Sequence, residues 1–552
     1  MQICNRARAA ALALALAVPG LARASAYSDF AFGRLAFTQN DLPQAARRFE
    51  AALAADPANA MLRARAFQAA LVAGEARRAA VLAAGLPTGA GEDGTPAFLR
   101  LANAFAAADW AAADKAANAV AALKIGQAPA TIARAWARFA RGDREGALKS
   151  LDPVTAPAGA SALVGEQRAR MLAAMGRWSE ARAAYAGVGG SGADVLIAAA
   201  NAAARAGDAA GARAMLDGNA TSGAIELARA RLDAGRPILR EVDGPREGLA
   251  SMLGAVAEGF ARGGANQPAL AYARIATFAA PASAERRLLL AELLRQADQP
   301  RAAEKALEGI GKDSLFVGEA RGLRARLLID EGRRAEALAM LRRAAQARDA
   351  RAYDWSLLGE IEIDAKDYAA AAQAFDHAVA MAEPGQRSNW RFLFQRGSAY
   401  EQAGNWMRAE PDLRGALALA PSQPVVLNYL GYALIDRGLK LDEGTRLLRS
   451  ALSASPDSAA IQDSLGWAYF RQARYPDAVG LLERAVGGDP GDPTILEHLG
   501  DAYWAAGRRL EARYQWNAAA SLDPEPDLKA RLAAKIDYGF DAAHLAKARP
   551  AA

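Results

Sequence analysis

The chain has 552 residues, 52 % of them hydrophobic and 7 % aromatic, and its 67 Lys and Arg against 61 Asp and Glu leave a net charge of +6. So small an imbalance over such a length excludes the basic footprint of a nucleic-acid or membrane-surface binder. One cysteine and three histidines exclude a disulfide framework and argue against a metal centre.

The first element is a leader. Arg6 and Arg8 precede the apolar run AAALALALAVPGLA, and the small residues Ala24-Ser25-Ala26 follow it. This is the pattern of a secretory signal, with cleavage expected between Ala26 and Tyr27. The run is short for a membrane span and is broken by Pro19. Cys4 lies ahead of the run, so there is no lipoprotein site, and the processed chain keeps no thiol. The expected location is periplasmic or secreted.

Beyond the leader a pattern recurs with a period of 34 residues. It is clearest in DSLGWAYFRQARYPDAVGLLERAVGGDP and EHLGDAYWAAGRRLEARYQWNAAASLDP. There Leu465 and Gly466 recur as Leu499 and Gly500, Tyr469 as Tyr503, Ala478 as Ala512 and Pro490 as Pro524. With small insertions the frame starts near residues 26, 60, 94, 128, 162, 193, 221, 250, 284, 318, 352, 390, 424, 459 and 493. Position 20 is alanine in thirteen of these fifteen registers, with Arg240 and Gly444 the exceptions, and position 8 is glycine or alanine in thirteen. Small side chains at both places predict two helices crossing at close range, positions 8 and 20 meeting. Glycine at position 15 (Gly142, Gly176, Gly332, Gly404, Gly507) predicts a left-handed end to the first helix. Proline at position 32 (Pro57, Pro281, Pro421, Pro456, Pro490, Pro524) stops the second.

In chain order, residues 27–190 read as an N-terminal array, regular in spacing and poor in aromatics. Residues 191–249 read as an irregular helical junction, where the spacing contracts and RPILREVDGPRE interrupts the frame. Residues 250–526 form a tighter C-terminal array, with an EPGQ insertion before residue 390. Residues 527–552 supply a capping helix, within EPDLKARLAAKIDYGF, and a tail. Gly187, Gly189 and Gly192 match G-x-G-x-x-G, but the segment before them, ARAAYAG, is helical, so the glycines read as an inter-repeat turn. His377, His498 and His544 have no metal-ligand spacing around them and read as surface or packing residues. No nucleophile elbow or phosphate loop is present, and the chain reads as a non-enzyme without a cofactor.

The 34-residue pattern is identified as that of the tetratricopeptide repeat (TPR) family. The fold class expected is all-α: a right-handed α-solenoid of about fifteen helical hairpins with a capping helix. At 100° per residue, positions 4, 7 and 11 of the first helix share the core face, while positions 2, 5, 9 and 12 face outward onto the concave side. In the C-terminal registers that outward set is rich in aromatic and charged residues. The candidate protein-binding groove is therefore Arg391, Phe394, Asn428, Tyr432, Asp463, Trp467, Phe470, Arg471, Glu497, Asp501 and Trp504. Leu482 and Trp516, at position 24, are assigned to the core, as are Trp110, Trp355 and Trp406.

A narrower resemblance rests on NYLGYALIDRGLKLDEGTRLL, DSLGWAYFRQARYPDAVGLLERA and DPTILEHLGDAYWAAGRRLEARYQW. These resemble the envelope TPR adaptors of Gram-negative bacteria of the LbcA type, which bring a C-terminal-processing protease to cell-wall hydrolases. The resemblance implies a non-catalytic periplasmic scaffold whose partners are other proteins; beyond it, the N-terminal array is expected to take a second partner or a substrate. Those adaptors are lipoproteins, and here the cysteine is missing. The alternative is a structural subunit of an envelope assembly held by its convex face, and homo-oligomerisation stays open.

Overall fold

The computed structural model describes residues 26–87, 94–152, 160–188, 192–217, 222–239, 243–382 and 390–540. The leader with Cys4, Gly189, Arg240, the EPGQ insertion, His544 and the tail lie outside them. Among the described residues all regular structure is helical, in thirty helices, so the all-α class holds. The chain forms two compact units, residues 1–344 and 345–552. That division falls well after the junction expected at 191–249.

The first unit opens with α1 (Ala26–Thr38), α2 (Leu42–Ala55), α3 (Ala60–Val72), α4 (Ala76–Ala84), α5 (Thr95–Ala106) and α6 (Trp110–Ala121). It continues with α7 (Gln127–Ala140), α8 (Arg144–Ser150), α9 (Ser161–Ala174), α10 (Trp178–Ala186), α11 (Ala193–Arg205) and α12 (Ala209–Asp217). After α13 (Gly223–Asp233) come α14 (Pro245–Arg262), α15 (Asn266–Ala279), α16 (Ala284–Gln296), α17 (Pro300–Glu308), α18 (Val317–Asp330) and α19 (Arg334–Ala345). The second unit holds α20 (Ala352–Asp364), α21 (Tyr368–Met381), α22 (Trp390–Gln402), α23 (Trp406–Leu419), α24 (Pro424–Asp436) and α25 (Leu441–Ala454). It ends with α26 (Ala459–Arg471), α27 (Tyr475–Gly488), α28 (Pro493–Ala505), α29 (Arg509–Ser521) and α30 (Pro526–Tyr538).

The frame is visible in the backbone. Position 15 takes a positive φ in all fifteen registers. Where glycine is absent, Asn40, Ala108, Asp298, Lys366 and Ala473 adopt the same left-handed turn, which shows that the turn is imposed by the hairpin and not by glycine alone. Position 16 then caps the second helix. Asp41, Asp109, Asp143, Asp208, Asp367 and Asn405 each accept a hydrogen bond from a backbone N–H three residues on. The thirteen position-20 alanines are all at most 1 % exposed.

Position 8 differs from expectation in one detail. A Cβ added at Gly33, Gly359, Gly397, Gly431, Gly466 or Gly500 would lie 2.3–3.0 Å from the side chain at position 24: Phe49, Phe375, Leu413, Leu448, Leu482 and Trp516 in turn. The small residue at position 8 is therefore a seat for a large one at position 24, over the backbone of position 20. Leu482 and Trp516 are fully buried, as assigned.

The first unit is not an open array. Among the described residues helix α13 has no second helix behind it. Its apolar face is closed by Ile238 and by Leu315 and Phe316 of the loop before α18, and Glu319 accepts from Ser222 Oγ (2.6 Å) and the Ala224 N–H (2.9 Å). The next hairpin then folds back. Helix α14 packs on α5, α7 and α9, and α15 packs on α3 and α5. Tyr272 sits edge-on to Phe98 at 5.1 Å and stacked on Phe260 at 5.4 Å. Arg274 Nε donates to the Val72 carbonyl at the C-terminus of α3 (3.2 Å), where a helix end favours a cation. Burial pushes the Arg274 guanidinium down to about 10. The turns at Asn40 and Asp298 also meet: Asn40 Nδ2 donates to the carbonyls of Ala297 and Asp298, and Gln299 Nε2 donates back to Asn40 Oδ1.

Candidate functional site

The first helices of the N-terminal registers, α3, α5, α7 and α9, are the ones whose outward faces would form an N-terminal groove. Helices α14 and α15 cover them. Over these four helices the surface expected for a second partner is filled by the chain's own hairpin, while an open cavity of about 380 Å3 lined by Phe30, Arg34, Met61 and Arg65 remains at the start of the array.

In the second unit the outward face stays open where α24, α26, α28 and α30 follow one another. A concave cavity of about 570 Å3 lies there. Its wall is aromatic. Phe470 stacks on Trp467 (4.8 Å, 13°), Trp467 stacks on His498 (4.2 Å, 16°), and Phe540 meets Phe470 edge-on at 5.9 Å. Residues four apart on a helix share a face, so Glu497 and Asp501 of α28 point the same way, as do Arg531 and Lys535 of α30. Lys535 Nζ bridges Glu497 Oε1 and Asp501 Oδ2, at 2.7 Å each. Arg531 adds a pair with Glu497 (2.9 Å), and Trp516 Nε1 donates to Asp501 Oδ1 (3.0 Å). Beneath the ring stack, His498 Nδ1 lies 2.8 Å from Asp463 Oδ1.

Of the eleven groove candidates, Tyr432, Trp467, Phe470, Arg471, Glu497 and Asp501 line this cavity, and Asp463 lies under it. Asn428 is one turn from Tyr432, and its Oδ1 is sealed from solvent without a hydrogen-bond partner, as is Trp467 Nε1. The structure does not bring the other three in. Arg391 lies over the Trp390 ring at 4.7 Å, and Phe394 packs edge-on against Tyr429 at 5.4 Å, bridging neighbouring registers. Trp504 is turned under the end of α30. Its ring lies 5.5 Å from Trp516, Arg509 and Arg513 cover it at 4.8 and 5.4 Å, and a Cβ on Gly539 would meet it at 2.2 Å.

His498, Arg531, Lys535 and Phe540 were not among the candidates. A signal for the two cations was present: Arg531 and Lys535 stand 34 residues after Glu497 and Asp501, so basic residues continue positions 5 and 9 of the frame into the last helix. His377 does pack, stacked on Trp355 at 4.2 Å. Gly187 ends helix α10, so the segment before the glycines is a helix and not the strand that a dinucleotide fingerprint follows. Among the described residues no His, Cys, Asp and Glu group could hold a metal, and no helix is long and apolar enough to cross a membrane.

Burial and charge set the protonation of this cluster. Burial pushes Asp501 up to about 6, against the pull of Lys535. Burial would lower His498, but the Asp463 carboxylate outweighs it and the imidazole is held above its ordinary 6.5. Burial would raise Glu497, yet Arg531 and Lys535 hold it below the usual carboxylate range. For Asp501 and His498 the folded chain binds more protons than the unfolded one. The stability they contribute is present in full below their unfolded values and is lost as pH rises through their folded ones. Lowering the pH from about 8 to about 5.5 is expected to stabilise the α26–α30 end, by about 1 kcal/mol from Asp501 and further in the same direction from His498. Amide protection in α28 and α30, taken relative to the intrinsic exchange rate at each pH, should rise accordingly, and Asp501→Asn with His498→Gln should flatten the slope. Glu497 acts in the opposite sense and lower: its contribution is present above its ordinary 4.5 and is lost as pH falls through its depressed value.

The tetratricopeptide-repeat family pattern matches residues 323–385, 394–459 and 464–525. A TPR repeat-containing protein of Pseudomonas aeruginosa is 36 % identical over 109 residues, which are 20 % of this chain and 18 % of that protein. The chain thus spans less than a fifth of that relative's length. Among solved structures, the anaphase-promoting-complex hetero-tetramer Cut9–Hcn1 is 14 % identical, with 92 % of this chain and 95 % of that one covered and a TM-score of 0.42. A tetratricopeptide repeat protein from Parabacteroides merdae is 15 % identical (47 % and 98 % covered, TM-score 0.37). MamA from Desulfovibrio magneticus is 18 % identical (32 % and 97 %, TM-score 0.28). The matched segments between residues 323 and 525 are thus tetratricopeptide repeats, a fold that serves as a scaffold for binding other proteins, and the described residues before them are helical as well.

Proposed function

We propose that this chain is a non-catalytic periplasmic adaptor that seats a segment of a partner protein in the groove of its second unit. The carrying observation is the stacked wall of Phe470, Trp467 and His498 facing an open cavity. Of the charges beside that wall, Glu497 and Asp501 are spent on Arg531 and Lys535, and Arg471 donates to the Asp436 backbone carbonyl. The wall therefore selects by shape and apolar contact, and the occupant is a segment carrying a bulky apolar or aromatic side chain. Such anchors dominate protein interfaces. The resemblance to LbcA-type envelope adaptors supports reading the partner as a C-terminal-processing protease that receives cell-wall hydrolases from this scaffold.

The test uses a purified C-terminal-processing protease, a cell-wall hydrolase and the full chain. Addition of the chain is expected to accelerate hydrolase degradation. Trp467→Ala with Phe470→Ala is expected to weaken protease binding by about 2 kcal/mol or more, some thirtyfold. Unchanged degradation on addition of the chain removes the adaptor reading. Unchanged binding by the folded double variant removes the groove assignment. A second reading, a fixed subunit of an envelope assembly, is favoured by Leu510 and Tyr514, one turn apart on α29 and 82 % and 72 % exposed. Co-purification at fixed stoichiometry that Leu510→Ser abolishes would select it.

A further inference from the structure

The geometry points to a second, independent docking surface on the second helices of the same unit, one that takes an acidic segment of a partner protein bearing aliphatic side chains. Between α25 and α27 lies an open groove of about 620 Å3 that shares no residue with the inner cavity. Its floor is apolar: Leu465 and Leu481 are buried and Leu452 is half-buried. Its rim is arginine. Arg449 and Arg474 cover the Tyr469 ring at 5.6 and 4.1 Å, and Arg449 Nε donates to the Tyr469 hydroxyl (3.1 Å). Arg484 stands on the other side, exposed.

This rim is short of counter-charges, which many arginines of the unit have. Arg396, Arg408, Arg414, Arg437, Arg508 and Arg531 each pair with a carboxylate. In the outer groove only Arg474 does, with Asp477 at 2.6 Å. Among the described residues Arg449 has no carboxylate partner and Arg484 has neither a hydrogen bond nor an ion pair. Three guanidinium groups against one carboxylate leave the groove with two positive charges over an aliphatic floor. Guanidinium groups bind carboxylates in a planar fork. The centre of the groove is also unobstructed, because a Cβ on Gly480 would meet nothing within 4 Å, so a ligand backbone can lie close to α27. An extended or helical segment alternating carboxylates with leucine-like residues matches both features, with its acids on Arg449 and Arg484 and its aliphatic groups on Leu452, Leu465 and Leu481.

The test is fluorescence anisotropy with the full chain and a fluorescein-labelled peptide of repeating Glu-Glu-Leu-Leu, against a Lys-Lys-Leu-Leu control. Saturable binding of the acidic peptide is expected, weakened by added salt and reduced about tenfold or more by Arg449→Glu with Arg484→Glu. Both side chains are exposed, so the fold should hold, and circular dichroism checks it. Gly480→Leu provides a second arm: its Cβ enters open space and its side chain takes up room in the groove, so it should block the peptide while preserving helicity. Trp467→Ala should leave this binding untouched, which keeps the result separate from that of the inner groove. Failure of the acidic peptide to bind overturns the proposal, as does binding that the charge reversals or Gly480→Leu leave unchanged. Equal affinity for phosphatidylglycerol vesicles or single-stranded DNA also overturns it, since the rim would then attract anions generally.

Discussion

Lys535→Ala is expected to destabilise the C-terminal end of the second unit by about 3–5 kcal/mol. The ammonium is 4 % exposed and neutralises two carboxylates, Glu497 and Asp501, that are 3 % and 2 % exposed. Removing it leaves Glu497 with Arg531 alone and Asp501 with only the Trp516 N–H. Losing one partner of a buried ion pair costs more than the pair is worth, because a desolvated charge is stranded. Lys529→Ala on the same helix supplies the comparison. Lys529 pairs with Asp523 at 3.1 Å, but both side chains are largely exposed, and its loss should cost less than about 0.5 kcal/mol. Neutralising the set together, as Lys535→Met with Glu497→Gln and Asp501→Asn, should recover most of the loss. Denaturant titration followed by tryptophan fluorescence reads all three variants, since Trp504 and Trp516 lie against this end. If Lys535→Ala costs no more than Lys529→Ala, the buried cluster does not hold the last helix.

How much of this was written in the sequence depends on which force placed each residue. Position 15 and position 20 answer to the backbone: a turn that must be left-handed, and a crossing with no room for a side chain. Position 15 keeps its turn even in the register at residue 221, where Arg240 departs from the alanine of position 20. The groove face was legible for the same reason of periodicity, and Tyr432, Trp467, Phe470, Glu497 and Asp501 fall on it. Trp504 obeys the same periodicity, yet what it faces is set by the element that follows, and there the C-terminal turn at Gly539 replaces another hairpin. His498 entered the site through its partners, Trp467 and Asp463, which lie about one repeat earlier in the chain and are brought near only by stacking. The fold-back of α14 and α15 was hidden for a related reason. It pairs segments as far apart as Val72 and Arg274, and no local pattern specifies such a partner. A trace of it existed: residues 269–276, ALAYARIA, are buried without interruption, and a helix apolar all round is one enclosed on every side.

Gly248→Leu should detach that fold-back hairpin, at a cost above about 3 kcal/mol, and Gly248→Ala gives the finer reading. Gly248 lies within α14, where helix propensity alone predicts a gain of up to about 1 kcal/mol for alanine. The packing says otherwise. A Cβ there would lie 2.1 Å from the Trp136 ring, and that ring cannot retreat: it is fully buried, and its Nε1 donates to Gln167 Oε1 at 2.9 Å. Overpacking of this kind costs about 1–3 kcal/mol, which exceeds the propensity gain and reverses the sign. Gly259 is on the same helix with nothing within 4 Å of its would-be Cβ, so Gly259→Ala should show the propensity gain unopposed. The leucine variant should raise amide exchange across residues 269–276 toward that of exposed segments and bare the faces of α3, α5, α7 and α9. Stabilisation by both alanine changes would mean that α14 does not rest on Trp136. Opposite signs would establish that α14 rests on Trp136 and that the chain's own hairpin closes the face of α7.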